Sequence, residues 1–306
     1  MQTFRYIVKR VILAVVSLFM IVTLTFFLMN LMPGDPFMSE KATEENRAIL
    51  IAKYGLDQPV YVQYGKYLSN LLKGDMGTSY VLQKGRTVRD IISESFKVSM
   101  SLGLRALVIA VVVGIVFGCV SGLCKDKLPD GIIRVLSSMG ISMPGYVIAA
   151  ALMIILGVRL GILPINYNRP GGWIMPTIVL ATYPASYLTR LTRASILEVM
   201  NQDYLLTERA KGMSELVVVF IHALKNSLIP VITYLGPLTA SILTGGFVAE
   251  SVFNVPGLGR YFVSSISSRD YTMIMGVTIF YSALIVMMNL VCDILYKIVD
   301  PRITLE

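Results

Sequence analysis

Residues 11–32 read VILAVVSLFMIVTLTFFLMNLM, a run without a single charged side chain. About 20 such residues, at 1.5 Å of helical rise each, cross the hydrocarbon of a bilayer. Lipid, not water, is therefore the solvent that decides this fold. Arg5, Lys9 and Arg10 precede the run, in the manner of a secretory signal. The apolar stretch is too long for one, and no small-x-small cleavage site follows it. It reads as an uncleaved anchor with its N-terminus in the cytoplasm. Working outward, further apolar runs lie at about 106–123, 135–158, 174–189, 227–249 and 273–296. The expected fold class is an all-α polytopic membrane protein of six transmembrane helices, with both termini on one side.

Composition leads to the same class. Hydrophobic residues make up 55% of the 306 and charged residues only 15%, with a mean hydropathy of +0.69. A soluble domain carries roughly 25% charged residues and has too little interior to hide this much apolar surface. The net charge of +8 then signifies topogenic charge and anionic headgroups instead of nucleic acid. Cys119, Cys124 and Cys292 lie in or beside apolar runs, and nothing in their spacing suggests a metal site or a disulfide framework.

The basic residues orient the spans. Expected cytoplasmic segments hold Arg5, Lys9, Arg10, then Lys125, Lys127, Arg134, then Arg190, Arg193, Arg209, Lys211, Lys225, and finally Lys297 and Arg302. The two short outer loops hold only Arg159, Arg169, Arg260 and Arg269. The reading is N-in and C-in, in the plasma or inner membrane. Three parts follow: 1–32, the N-terminal end and first span; 33–97, an extracytoplasmic loop subdomain; and 98–306, a transmembrane core containing a cytoplasmic loop over 201–226. Within the outer loop, Pro33-Gly34-Asp35-Pro36 ends the first span, 42–54 reads as a short amphipathic helix, and 87–97 leads helically into the second span.

The loop 201–226 reads NQDYLLTERAKGMSELVVVFIHALKN. Asp203 is placed to N-cap a helix of about eight residues, roughly 12 Å long. Lys211 falls in its last turn and Gly212 just beyond. Ser214 and Glu215 open a second helix. Glu208, Arg209 and Lys211 stand on one side of the short helix and Tyr204, Leu205 and Leu206 elsewhere. Such a knob suits a groove on a cytoplasmic partner; the residues alone equally admit an amphipathic loop lying on headgroups.

Ala210-Lys211-Gly212, ten residues, then His222-Ala223-Leu224-Lys225-Asn226 and Pro230 resembles the cytoplasmic EAA loop of ABC importer permeases, most closely the dipeptide/oligopeptide/nickel branch. The resemblance runs through nearly the whole chain. Leu31-Met32-Pro33-Gly34-Asp35-Pro36, Tyr54-Gly55-Leu56-Asp57-Gln58-Pro59, Gln63-Tyr64 and Gly74-Asp75-Met76-Gly77-Thr78-Ser79 are similar to its N-terminal part. Arg190-Leu191-Thr192-Arg193 and Asp203-Tyr204 precede the loop. Glu250-Ser251-Val252-Phe253, Pro256-Gly257-Leu258-Gly259-Arg260, Arg269-Asp270-Tyr271 and Asp300-Pro301-Arg302-Ile303 follow it. Two positions depart from the pattern. Leu206 stands where the motif carries an acid, leaving Glu208 as the nearby carboxylate. Thr272 stands where many relatives have proline, so the start of the last span is expected to be less fixed.

The resemblance implies a type I importer (MetI-like) permease fold and alternating access. It implies a second homologous permease, two ABC ATPases carrying ATP and Mg, and an extracytoplasmic peptide-binding protein. It places the ATPase-coupling loop on Asp203, Tyr204, Leu205, Glu208, Arg209, Ala210, Lys211 and Gly212. No catalytic, cofactor or metal residue is expected on this chain. Gly65-Lys66-Tyr67 is its only Gly-Lys pair, so a Walker A site is absent. The expected cargo is a peptide, with a nickel chelate as the alternative within the family. A proton-coupled secondary transporter is the rival class, opposed by the near absence of carboxylates in the spans.

Arg105, Gly245 and Gly246 are the candidates for the substrate path. Arg105 either snorkels or pairs locally, or meets a peptide carboxylate; the glycines either pack helices closely or border the path. Asp293 and Lys297 read as an i,i+4 pair. His222 reads as a packing or hydrogen-bonding residue.

Overall fold

The computed structural model describes residues 2–31, 51–52, 55–244 and 246–299, with side chains described between 8 and 291. The Pro33 turn, most of the helix expected over 42–54, Gly245, and the side chains of Cys292, Asp293 and Lys297 lie outside the described residues. Helices follow one another as α1 (Gln2–Leu31), α2 (Val60–Leu72), α3 (Val88–Leu123), α4 (Leu128–Ser142) and α5 (Gly145–Leu152), which runs on as a π-helical turn over Met153–Arg159. Then come α6 (Ile174–Met200), α7 (Asp203–Ala210), α8 (Glu215–Val217) with a π-helical turn over Val218–Ala223, and α9 (Leu224–Ser227). The chain continues through α10 (Ile229–Thr244), α11 (Phe247–Val252), α12 (Leu258–Ser268) and α13 (Tyr271–Val299).

Among the described residues, four runs are long and apolar enough to cross a membrane: Val8–Leu31, Val88–Leu123, Ile229–Val252 and Tyr271–Val291. The span expected at 135–158 is broken. Leu128–Ser142 and Gly145–Arg159 meet at 110° and qualify only as a pair. The cause is Pro144, which drives Met143 out of the helical region to φ −80, ψ 128. The run expected at 174–189 is the first part of α6. This 27-residue helix is about 40 Å long but too polar to face lipid. Thr177, Ser186, Thr189, Thr192 and Ser195 are buried along it, against α4, α5, α9, α10 and α11. Protein, not lipid, is the solvent of this sixth helix.

The chain divides into two compact units, Met1–Val98 with Pro256–Leu290, and Ser99–Val255 with Val291–Glu306. In the first, α2 lies on α1: Phe26 and Phe27 contact the Tyr64 ring, Phe26 stacks on Tyr67, and the Thr23 and Tyr64 hydroxyls are 2.7 Å apart. The other feature of this unit is a caged carboxylate. Asp270 is fully buried. It accepts the Ser79 hydroxyl at 2.5 Å and the backbone N–H groups of Tyr80, Val81 and Leu82 at 3.2, 3.1 and 3.1 Å. One acid thus pins the turn after Gly77 to the head of α13, and the buried charge is satisfied throughout. Thr272 is not a loose start to that helix: its hydroxyl donates to the Thr78 carbonyl at 2.6 Å.

The second unit is built on close contact between α3 and α6. Gly114, Gly118 and Gly122 recur every four residues and present bare backbone to Leu188, Thr192 and Ile196, the small-residue spacing that lets helices approach in lipid. A Cβ on Gly118 would sit 2.8 Å from the Thr189 carbonyl oxygen. At one end of this contact Asp130 of α4 is fully buried and grips Arg193 of α6 bidentately, at 2.8 and 2.9 Å. Ser121 of α3 donates to the same carboxylate at 2.5 Å and the Asp126 N–H at 3.0 Å. Three helices are tied by one ion pair whose remaining lone pairs are also used.

Candidate functional site: the 203–212 helix

α7 has the expected length, eight residues. Its start differs from expectation. Gln202, in extended backbone, is the N-cap and makes no side-chain cap bond; Asp203 is the first helical residue. There its carboxylate complements the positive end of the helix without replacing a backbone partner. Lys211 is likewise the C-cap, one position past the last turn.

The end of α7 is a complete Schellman closure. Gly212 takes φ +82, a region that costs an L side chain steric strain but glycine none. Its N–H donates to the Arg209 carbonyl at 3.0 Å, and the Met213 N–H to the Glu208 carbonyl at 3.4 Å. No atom lies within 4 Å of where a Cβ on Gly212 would be, so backbone geometry alone demands glycine.

Leu205 anchors the helix. It is fully buried in a small cluster with Val218 and Ala223, with Val199 and Met200 against it. Tyr204 adds a polar tether: its hydroxyl receives the Asn226 amide at 2.8 Å and is 3.4 Å from the His222 carbonyl. His222 itself sits in the π-helical turn and lends this contact its backbone. Arg209 bonds both carboxylate oxygens of Glu215, at 3.1 and 2.8 Å, bracing α7 against the next helix. That guanidinium holds the Glu215 carboxyl below its usual range. Lys211 reaches one oxygen of Glu208 at 3.0 Å. The other Glu208 oxygen is buried and has no hydrogen-bond partner among the described residues. Ala210 is exposed, as are Leu206, Met213 and Leu216.

The eight loop residues therefore form one braced unit. The other candidates have separate partners. The Arg105 guanidinium lies over the Trp173 ring, 4.6 Å from its centroid. Gly246 is buried, and a Cβ there would meet Glu250 and Leu180 at 3.4 to 3.7 Å, ordinary van der Waals contact. Sequence reasoning missed the Asp130–Arg193 pair and the Asp270 cage. A lone acid following Lys127-Leu128-Pro129 at the edge of an apolar run was the available signal for the first. The second needs a partner 188 to 191 positions away, which no local pattern discloses.

Residues 114–305 match the family model of the binding-protein-dependent transport system inner membrane component, and residues 3–103 its N-terminal membrane component. The chain is 43% identical to the dipeptide transport system permease protein DppB of Lactococcus lactis, covering 98% of this chain and 99% of that one. It is 41% identical to the oligopeptide transport system permease protein OppB of Haemophilus influenzae, over 98% and 99%. It is 35% identical to OppB of Salmonella typhimurium, again over 98% and 99%. A crystal structure of an amino acid ABC transporter with histidines shares the fold, with a TM-score of 0.56 at 16% identity over 68% of this chain and 94% of that one. With this coverage and the permease fold in place, the chain belongs to the binding-protein-dependent transport system inner membrane component family.

Proposed function

We propose that the chain forms half of the translocation path of an ATP-driven importer of peptides, and that α7 is the element its ATPases push. Its partners on this reading are a second homologous permease, two ATPase subunits that hold ATP and Mg, and an extracytoplasmic peptide-binding protein. Both termini lie in the cytoplasm, as the lysine and arginine distribution favours. The relatives' peptide cargo supports the substrate class. The observation that carries the coupling role is the construction of α7. It is a short helix held from beneath by Leu205, braced by Arg209–Glu215, and stopped at a glycine with φ +82. A knob so tied moves with the π-helical turn behind it and leaves Leu206, Met213 and Leu216 free for a partner surface.

Gly212→Val tests this. The left-handed backbone costs a side chain about 1–2 kcal/mol, more when β-branched, and the substitution undoes the Schellman closure without any clash inside the chain. The variant is expected to insert and fold, yet to lose most peptide uptake and the stimulation of its ATPases. Gly212→Asn, tolerant of this backbone region, should retain more of both, and Glu208→Ala should be milder than Gly212→Val. Full uptake by Gly212→Val at normal expression would remove α7 from the coupling role.

A further inference from the structure

α6 is buried on most of its surface and bare on one face. Tyr183, Tyr187, Arg190 and Ala194 recur at intervals of three and four, the spacing of a single helix face. Tyr183 is 52% exposed, Arg190 and Ala194 are exposed, and Tyr187 is half-buried. Ala185, Ser186, Leu188, Thr189 and Thr192, between them, are buried.

The bare surfaces of neighbouring helices differ in chemistry. α3 exposes Val108, Val112 and Val116, and α4 exposes Ile132, Val135 and Met139. Hydrocarbon suffices as the solvent for those. It does not suffice for two phenols on a helix of spanning length, and the Arg190 guanidinium follows them at the end of α6 that the charge distribution assigns to the cytoplasm. Tyrosine hydroxyls removed from water find hydrogen-bond partners. Among the described residues the hydroxyls of Tyr183, Tyr187 and Tyr234 have none, and Arg190 has no ion pair. Tyr234 joins the face from α10, its ring 4.5 Å from that of Tyr187 and tilted 32°. Pro184 adds a further acceptor, because it has no N–H to give the Leu180 carbonyl one turn earlier.

We propose that Tyr183, Tyr187 and Arg190 of α6, with Tyr234 of α10, line a water-filled path and bind the peptide in passage. The tyrosine hydroxyls would bond its amides, the rings its side chains, and Arg190 its carboxylate. This deepens the peptide-permease reading and rests on it.

The test uses the whole complex in membranes, on a background in which Cys119, Cys124 and Cys292 are serine. Tyr183→Cys and Tyr187→Cys are expected to react with a charged, water-soluble thiol reagent, and transported peptide should slow the reaction. Val112→Cys, on the apolar face of α3, should stay unreactive. If the tyrosine variants fail to assemble, the Arg190→Gln measurement carries the test. With saturating peptide-loaded binding protein, Arg190→Gln should lower the rate ratio of free-carboxylate to C-terminally amidated peptide about tenfold, the value of one charge-assisted hydrogen bond. Unreactive cysteines in a complex that transports would mean that another chain covers this face, and would overturn the proposal while leaving the permease reading intact. Equal labelling of Val112→Cys, or an unchanged rate ratio in Arg190→Gln, would overturn it as well. Loss of ATP-driven uptake in the unmodified complex would instead refute the permease reading.

Discussion

Arg193→Leu is expected to destabilise the permease by about 3–5 kcal/mol, because it leaves a buried carboxylate without its counter-charge. Asp130 has no exposed surface. Its other donors, the Ser121 hydroxyl and the Asp126 N–H, carry no net charge. Arg134 is the only cation in reserve among the described residues, at 3.7 Å and half exposed, so the loss should fall toward the lower end of that range. Thermal unfolding of the purified complex in detergent measures it. The double variant Asp130→Asn with Arg193→Leu should recover much of the midpoint, since it removes the stranded charge along with its partner. An unshifted midpoint for Arg193→Leu alone would mean that this ion pair does not hold α3, α4 and α6 together.

Gly118→Leu is expected to prevent α3 from seating on α6. A Cβ there would lie 2.8 Å from the Thr189 carbonyl oxygen and 2.9 Å from the Thr192 Cγ2 atom. The first is backbone and cannot rotate away. Helices must separate along their length, and the remaining leucine atoms have nowhere to go in a packed interior. Overpacking commonly costs 1–3 kcal/mol and sometimes more; here the obstacle is backbone, so the upper end or outright misassembly is expected. Gly131→Leu is the control, because no atom lies within 4 Å of its Cβ position. Yield of monodisperse permease and its unfolding midpoint compare the two. Equal behaviour of both variants would contradict the close packing of α3 on α6.

What was legible in the sequence follows the range of the forces involved. Lipid acts on every exposed side chain alike, so the apolar runs of α1, α3 and α13 could be read from composition alone. A helix shielded by protein escapes that rule: α6 buries threonines and serines and so looks like half a span. The break at Pro144 was present as a residue but hidden inside an apolar run that reads through it. In the loop, Gly212 was legible because a helix end is a local event, whereas which of Tyr204, Leu205 and Leu206 anchors the helix was not, because that depends on Val218 and Ala223 packing back on it. The choice between Gln202 and Asp203 as cap was not, since either supplies an extended residue before the first turn. The tyrosine face of α6 became visible only with burial, since its spacing alone cannot say which side of the helix is bare.

The most direct test of the central claim is peptide uptake by proteoliposomes holding the complete complex, with ATP and Mg supplied to the ATPase side and the loaded binding protein on the other. Uptake is expected to require both ATP and the binding protein, to persist when a protonophore collapses any proton gradient, and to be absent with this chain alone. Uptake by this chain alone, driven by a proton gradient without ATP, would contradict the account.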